Sequence, residues 1–181
     1  MRITRVTTKT GDGGNTRLGN GQKVGKEHLR VRCLGGLDEL NSQLGLTISV
    51  VEDGGTKTEL QKIQNDLMNI SGEISLPDKT SDLLDRNRVV TLEKRIQQMN
   101  AVLPKLKEFL LPGGDEFTAR LHVTRAVCRR VECDLVALFR TESIDQQLIV
   151  YINRLSDFFF VLARYANQVA GNNESIWEHP A

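Results

Sequence analysis

A chain of 181 residues holds one domain with a full core and is short for two. The formal net charge of +1 excludes the basic face of a nucleic-acid or anionic-membrane binder, and 39% hydrophobic with 26% charged residues is the composition of an ordinary soluble globular protein. No apolar run is long enough to cross a bilayer, and Met1-Arg2-Ile3-Thr4-Arg5 lacks the apolar core of a secretory signal, so a single cytoplasmic domain is expected.

Residues 1–26 differ from the rest. Thr7-Thr8-Lys9-Thr10-Gly11-Asp12-Gly13-Gly14-Asn15-Thr16-Arg17 is small, polar and glycine-rich, and Gly19, Gly21 and Gly25 continue that character, which reads as a loop or a very short hairpin. Glycines let successive backbone N–H groups converge on one point, a concavity suited to phosphate oxygens. Lys9 adds charge, Thr8, Thr10 and Thr16 add hydroxyls, and Lys26 stands at the far end. The segment is neither a Walker A loop, whose Gly-x-x-x-x-Gly-Lys-Ser/Thr is absent, nor a dinucleotide fingerprint, because no strand precedes it. By composition alone it reads as solvated chain; a phosphate-binding role needs support from cations elsewhere in the chain.

From residue 27 to 170 the pattern is helical. Val31, Leu34, Leu37, Leu40, Leu44 and Ile48 recur at three- and four-residue steps and predict a first helix over roughly 27–51, stopped by Asp53-Gly54-Gly55. Asp38 falls at the edge of its apolar stripe, where an acid is costly unless paired, so an ion pair with an arginine of the fourth helix is expected. Leu60, Ile63, Leu67, Ile70 and Ile74 mark a second helix ending near Pro77. Val89, Leu92, Ile96 and Met99 mark a third, ending before Pro104, and Phe109-Leu110-Leu111-Pro112-Gly113-Gly114 is a connector.

A fourth helix starts at about Asp115 and carries Phe117, Leu121, Val127, Val131, Leu135 and Leu138. On it Arg125, Arg129 and Glu132 stand at i, i+4 and i+7 on one face, with Arg130 beside them and His122 one turn earlier. Such a face is either solvated or built to grip a polyphosphate bidentately. The fifth helix, from about Ile144, carries Ile149, Ile152, Leu155, Phe159, Leu162 and Val169, with Asn153 and Asp157 facing one way and Arg154 and Arg164 read as structural ion-pair partners. Cys33, Cys128 and Cys133 have no metal spacing and read as buried, reduced thiols. Residues 171–181 read as a loosely held tail without a role. The predicted fold is all-α: a five-helix up-and-down bundle in one domain, ferritin-like in outline, behind a glycine-rich N-terminal loop.

Five blocks occur in a familiar order: Thr8-Lys9-Thr10-Gly11-Asp12-Gly13-Gly14; Gly36-Leu37-Asp38-Glu39-Leu40-Asn41-Ser42; Phe109-Leu110-Leu111-Pro112-Gly113-Gly114; Leu121-His122-Val123-Thr124-Arg125-Ala126-Val127-Cys128-Arg129-Arg130-Val131-Glu132; and Asn153-Arg154-Leu155-Ser156-Asp157. Together they resemble the PduO-type ATP:cob(I)alamin adenosyltransferases over about residues 5–166. The resemblance implies a homotrimer with ATP and the corrinoid between neighbouring subunits. It implies an N-terminal loop that wraps the ATP phosphates through Thr8, Lys9, Thr10, Gly11, Thr16, Arg17 and Lys26, and further ATP contacts from Arg129, Arg130, Glu132 and Asn153. It implies an arginine–aspartate pair made by Arg125 and Asp38, and a Phe109 ring that displaces the lower axial ligand of cobalamin. Mg²⁺ would come with the ATP phosphates rather than sit in a protein metal site. A flavin-dependent reductase and an adenosylcobalamin-dependent enzyme are the implied partners.

One position departs from several members of that family: Cys133 follows Glu132 where they carry another arginine. Two other readings compete with the enzyme. A non-catalytic carrier or sensor of ATP and corrinoid would need the loop and Arg125 but not Phe109 and Asp38. A ferritin-like metal bundle would need Glu-x-x-His pairs, and the chain has none.

Overall fold

The computed structural model describes residue 7, residues 9–77 and residues 82–178. A small hairpin, β1 (Asn15–Arg17) and β2 (Lys23–Gly25), precedes α1 (Leu29–Ile48), α2 (Gly54–Ile74), α3 (Asn87–Asn100), α4 (Glu116–Thr141) and α5 (Gln146–Val169). Four helices open on a side chain that accepts an otherwise orphaned N–H: His28 takes that of Arg30, Asp53 that of Thr56, Asp115 that of Thr118 and Asp145 that of Gln147.

Asp53 changes the expected boundary. Instead of stopping α1, which ends at Ile48, it opens α2. Its carboxylate accepts the Thr56 N–H at 2.6 Å and faces the positive end of the helix, which offsets the roughly 1 kcal/mol that each of Gly54 and Gly55 costs relative to alanine. That hydrogen bond holds the Asp53 carboxyl below its ordinary pKa.

The helices form the expected bundle. α4 packs against both α1 and α5, α3 lies on α5, and α2 lies on α1. Leu37, Leu40 and Leu44 of α1, Leu121, Val131 and Leu135 of α4, and Ile152, Leu155 and Phe159 of α5 are almost fully buried, each worth roughly 1.5–3 kcal/mol. Gly36 lets α1 close on α4, since a β-carbon there would stand 3.2 Å from a Val131 methyl.

Polar groups inside the bundle tie helices together. Asp66 of α2 accepts from Arg88 Nε at 2.8 Å and Tyr151 Oη at 2.7 Å, joining α2, α3 and α5. Arg30 of α1 donates to Glu142 at 2.6 Å, just past α4, and to the Ile74 carbonyl at 2.8 Å, closing one end of the bundle. Burial pushes the Cys33 thiol up to about 11 and that of Cys128 higher still, so both stay protonated and inert, whereas Cys133, expected to be buried with them, is exposed on α4.

The glycine-rich segment forms the short hairpin, with Thr16 opposite Val24. Its turn docks on the end of α2 through Gly19 N–H to Ser75 O at 2.8 Å. At the other terminus, Gly171 takes φ 70° and ends α5: its N–H returns to Gln168 O at 3.1 Å and that of Asn172 to Asn167 O at 2.9 Å. The reversal lays the tail along the connector before α4. Leu110 and Ile176 form an antiparallel bridge, Leu111 N–H donates to Ser175 O and Trp177 N–H donates to Phe109 O, both at 2.8 Å. Arg164 fixes Glu174 at 2.8 Å and also donates to Pro104 O at 2.9 Å. The segment read from sequence as loose is a strap on the connector.

Candidate active site

The arginine face of α4 lies between two concavities that share Arg129. The first, about 670 Å³, is walled by Leu106 and Phe109 of the connector, Arg125 and Arg129 of α4, and Asp157 and Phe160 of α5. The second, about 820 Å³, runs along α4 from Arg129 and Arg130 past Glu132 and Cys133 to Arg140, with Asn153 on its α5 side. Both carry cations, and the first adds the Phe109 and Phe160 rings, an arrangement that suits a large apolar ring system beside a polyphosphate.

Arg125 is half-buried, with its guanidinium carbon 5.7 Å from the centre of the Phe160 ring. Its Nε is fully buried and has no hydrogen-bond partner among the described residues. Burial first, and the neighbouring Arg129 second, lower its pKa, so the site holds this cation at a cost. His122, one turn back, is buried edge-on to Phe160 with its Nδ1 likewise unpartnered. Burial, then Arg125, pull the imidazole below its ordinary value and keep it neutral at pH 7.

In the second groove the polar groups are already oriented. Asn153 Nδ2 donates to Glu132 Oε1 at 2.9 Å, which fixes both across the α4–α5 seam. Arg130 pairs with Glu39 of α1 at 2.5 Å, and Arg129 makes no ion pair among the described residues. Arg129 therefore presents a guanidinium at the shared wall that no carboxylate among the described residues neutralises.

The expected Arg125–Asp38 pair does not form within one chain. Arg125 turns toward α5, over Phe160, whereas Asp38 is exposed on α1. The pairs that do link α1 to α4 are Glu39–Arg130 and Arg32–Asp134. Phe109 is 74% exposed on the connector, with its ring 6.2 Å from that of Trp177 and tilted 65° to it. Arg154 and Arg164 are in ion pairs, with Glu93, Asp157 and Glu174, as their sequence reading expects.

In the N-terminal segment, Lys9 adopts φ 59°, a left-handed conformation unusual for a side-chain-bearing residue. The Gly14 N–H donates to Gly11 O and the Lys26 N–H to Gly14 O, folding Lys26 back over the turn. A β-carbon on Gly11 would stand 3.2 Å from Lys26 Nζ, which shows how closely the ammonium group lies on the loop. Thr10 and Thr16 flank this turn, and Arg17 donates instead to Gly21 O at 2.8 Å within its own hairpin. Thr8 lies outside the described residues. The hairpin is docked beside Ile74, whose carbonyl Arg30 links to Glu142, and Arg140 ends the cationic groove at that same end of α4. Arg140 escapes the sequence reading because it lies beyond the i, i+4, i+7 cluster; its one signal is that it continues the series 129, 133, 136, 140 along a single face.

The model of the cobalamin adenosyltransferase family matches residues 6–166. The chain belongs to the cobalamin adenosyltransferase family. It is 42% identical over 180 residues to a cobalamin adenosyltransferase of Cupriavidus metallidurans, covering 98% of this chain and 96% of that one. It is 38% identical to a corrinoid adenosyltransferase of Bacillus subtilis, covering 98% and 94%. Among solved structures, a variant PduO-type ATP:corrinoid adenosyltransferase from Lactobacillus reuteri, complexed with cobalamin and ATP, superposes with a TM-score of 0.92 at 35% identity, covering 97% of this chain and all of the other. No helix among the described residues is long and apolar enough to cross a membrane. Nor does any cluster of three or more His, Cys, Asp or Glu among them suit a metal ion.

Proposed function

We propose that this cobalamin adenosyltransferase moves the 5′-deoxyadenosyl group of ATP onto Co(I) of a reduced corrinoid. The observation that carries the reading is the pair of cation-lined concavities meeting at Arg129, one of which also presents the Phe109 and Phe160 rings. Co(I) supplies both electrons of the new cobalt–carbon bond, becoming Co(III), and the C5′–O bonding pair leaves with triphosphate. The protein therefore needs no nucleophile of its own. Its work is to place C5′ against the metal and to stabilise charge on the departing triphosphate.

Arg129 and Arg130, with Arg140 further along, supply fixed positive charge on the groove side, and Glu132 and Asn153 orient the nucleotide. Thr8, Lys9, Thr10, Gly11, Thr16, Arg17 and Lys26 are assigned to the phosphates, which carry Mg²⁺ with them. Phe109 occupies the lower face of the corrin in place of its axial base, which favours the four-coordinate cobalt that is easier to reduce. A flavin-dependent reductase delivering Co(I) and an adenosylcobalamin-dependent enzyme taking the product fit this chemistry, in the cytoplasm.

The working form is assigned as a homotrimer with sites between subunits. Two features support it. Arg125 and Asp38 each make no ion pair among the described residues of their own chain, so the two are assigned to each other on neighbouring copies, as a pair that forms when the ligands fill the site. Leu46 on α1 and Val123 and Phe139 on α4 are 41–50% exposed, apolar surface suited to a partner.

An anaerobic assay with ATP, Mg²⁺ and chemically reduced cobalamin, read by the visible spectrum, tests the assignment alongside Phe109→Ala and Arg125→Ala. Product with wild type and its loss in both variants is expected. Binding of ATP and corrinoid without a cobalt–carbon bond would instead make the protein a carrier or sensor.

A further inference from the structure

We infer that the C-terminal strap is a positioning device for Phe109 and that Trp177 is its working residue. The inference deepens the proposed function and rests on the role assigned there to Phe109. A ring that must occupy one face of a corrin has to be held still before the substrate arrives, because ordering it during binding would subtract from affinity and rate. Phe109 sits on a connector between α3 and α4 with three quarters of its surface open.

The strap supplies that support at three levels. Phe109 O accepts the Trp177 N–H and Leu111 N–H donates to Ser175 O, which fixes the connector backbone on both sides of Leu110. The Trp177 indole stands edge-on to the Phe109 ring, the favoured geometry for an aromatic pair. The strap is itself anchored: Gly171 and Asn172 close the end of α5, and Glu174 is held by Arg164, which is 5% exposed and also grips Pro104 O at the far end of the connector. Arg164 thus joins the strap and the connector to α5, whose Phe160 and Asp157 wall the same cavity as Phe109.

Because Trp177 is the single tryptophan of the chain, its emission reports this contact directly. The experiment uses the full chain and three variants: Trp177→Ala, Trp177→Phe and Phe109→Ala. In ligand-free protein excited at the indole band, Phe109→Ala is expected to shift Trp177 emission to the red while far-UV circular dichroism stays unchanged. With cob(II)alamin and ATP bound, Trp177→Ala is expected to lower the four-coordinate fraction, read by electron paramagnetic resonance, by roughly two- to tenfold, the range an aromatic pair supports. Its kcat should fall by a similar factor with KM for ATP unmoved, and Trp177→Phe should recover most of both.

A four-coordinate fraction in Trp177→Ala equal to wild type would overturn the inference. So would tighter corrinoid binding on losing the indole, which would make the strap a plug, or Trp177 emission indifferent to Phe109→Ala. Failure of wild type to make adenosylcobalamin would count against the proposed reaction instead, and the emission measurement would still judge the Phe109–Trp177 contact.

Discussion

Arg125 is held at a cost that its removal should reveal. Its buried Nε has no partner among the described residues of the ligand-free chain, a deficit of about 1–3 kcal/mol, taken at the low end because part of the guanidinium reaches the open cavity. The repulsion from Arg129 that helps lower its pKa adds to this. Against it stands the contact with Phe160, worth about 0.5–1 kcal/mol at a partly exposed site. Replacing Arg125 with methionine keeps much of the stem's packing and removes the charge, so the ligand-free protein should gain about 0.5 kcal/mol net. For a chain of this size that raises Tm by about 1–2 °C. Paired thermal melts without ligands, followed by adenosyl-transfer assays on the same preparations, measure both sides. A more stable and inactive variant is expected, the pattern of a site strained for function. A Tm lowered by a similar amount would refute the reasoning, because it would mean that Arg125 is already satisfied before any ligand binds.

Tyr151→Phe deletes one of the hydrogen bonds to buried Asp66 and should cost about 1–3 kcal/mol in denaturant melts with kcat unchanged, since Tyr151 touches neither cavity. Iodoacetamide near pH 8 should label Cys133 alone, because Cys33 and Cys128 are buried with raised thiol pKa values; intact-mass spectrometry should count one adduct, and ATP should slow it, as Cys133 lines the cationic groove. Equal labelling with and without ATP would move the nucleotide elsewhere. The folded Cys33 thiol titrates near 11 against an ordinary 9.0, so the folded chain holds that proton more tightly; the contribution is complete below pH 9 and lost as pH rises through 11. Melts from pH 8 to 11 should therefore fall less steeply for Cys33→Ala than for wild type.

The bundle was legible because its signal is local. Leu60, Ile63, Leu67, Ile70 and Ile74 alone mark one face of α2, and all are buried. Asp53-Gly54-Gly55 was harder, since the same residues break one helix and cap the next, and only the Thr56 hydrogen bond decides between the two. The arginine spacing placed Arg125, Arg129 and Glu132 on one face but carried no record of their partners. That Glu39 rather than Asp38 reaches α4, and that Arg125 turns to Phe160, depends on how α1, α4 and α5 are set against each other. The strap was illegible for the same reason: Trp177 meets Phe109 across 68 residues through backbone pairing, and residues 171–178 have no hydrophobic period to announce it.

The central claim is transfer of carbon from ATP to cobalt, and the most direct measurement follows that carbon. ATP labelled at C5′ is incubated anaerobically with the protein, Mg²⁺ and cob(I)alamin, and the corrinoid and phosphate products are separated. The account requires the label bonded to cobalt, with one intact triphosphate released for each adenosylcobalamin formed. Label remaining in nucleotide, or triphosphate cleaved without a labelled corrinoid, would contradict it.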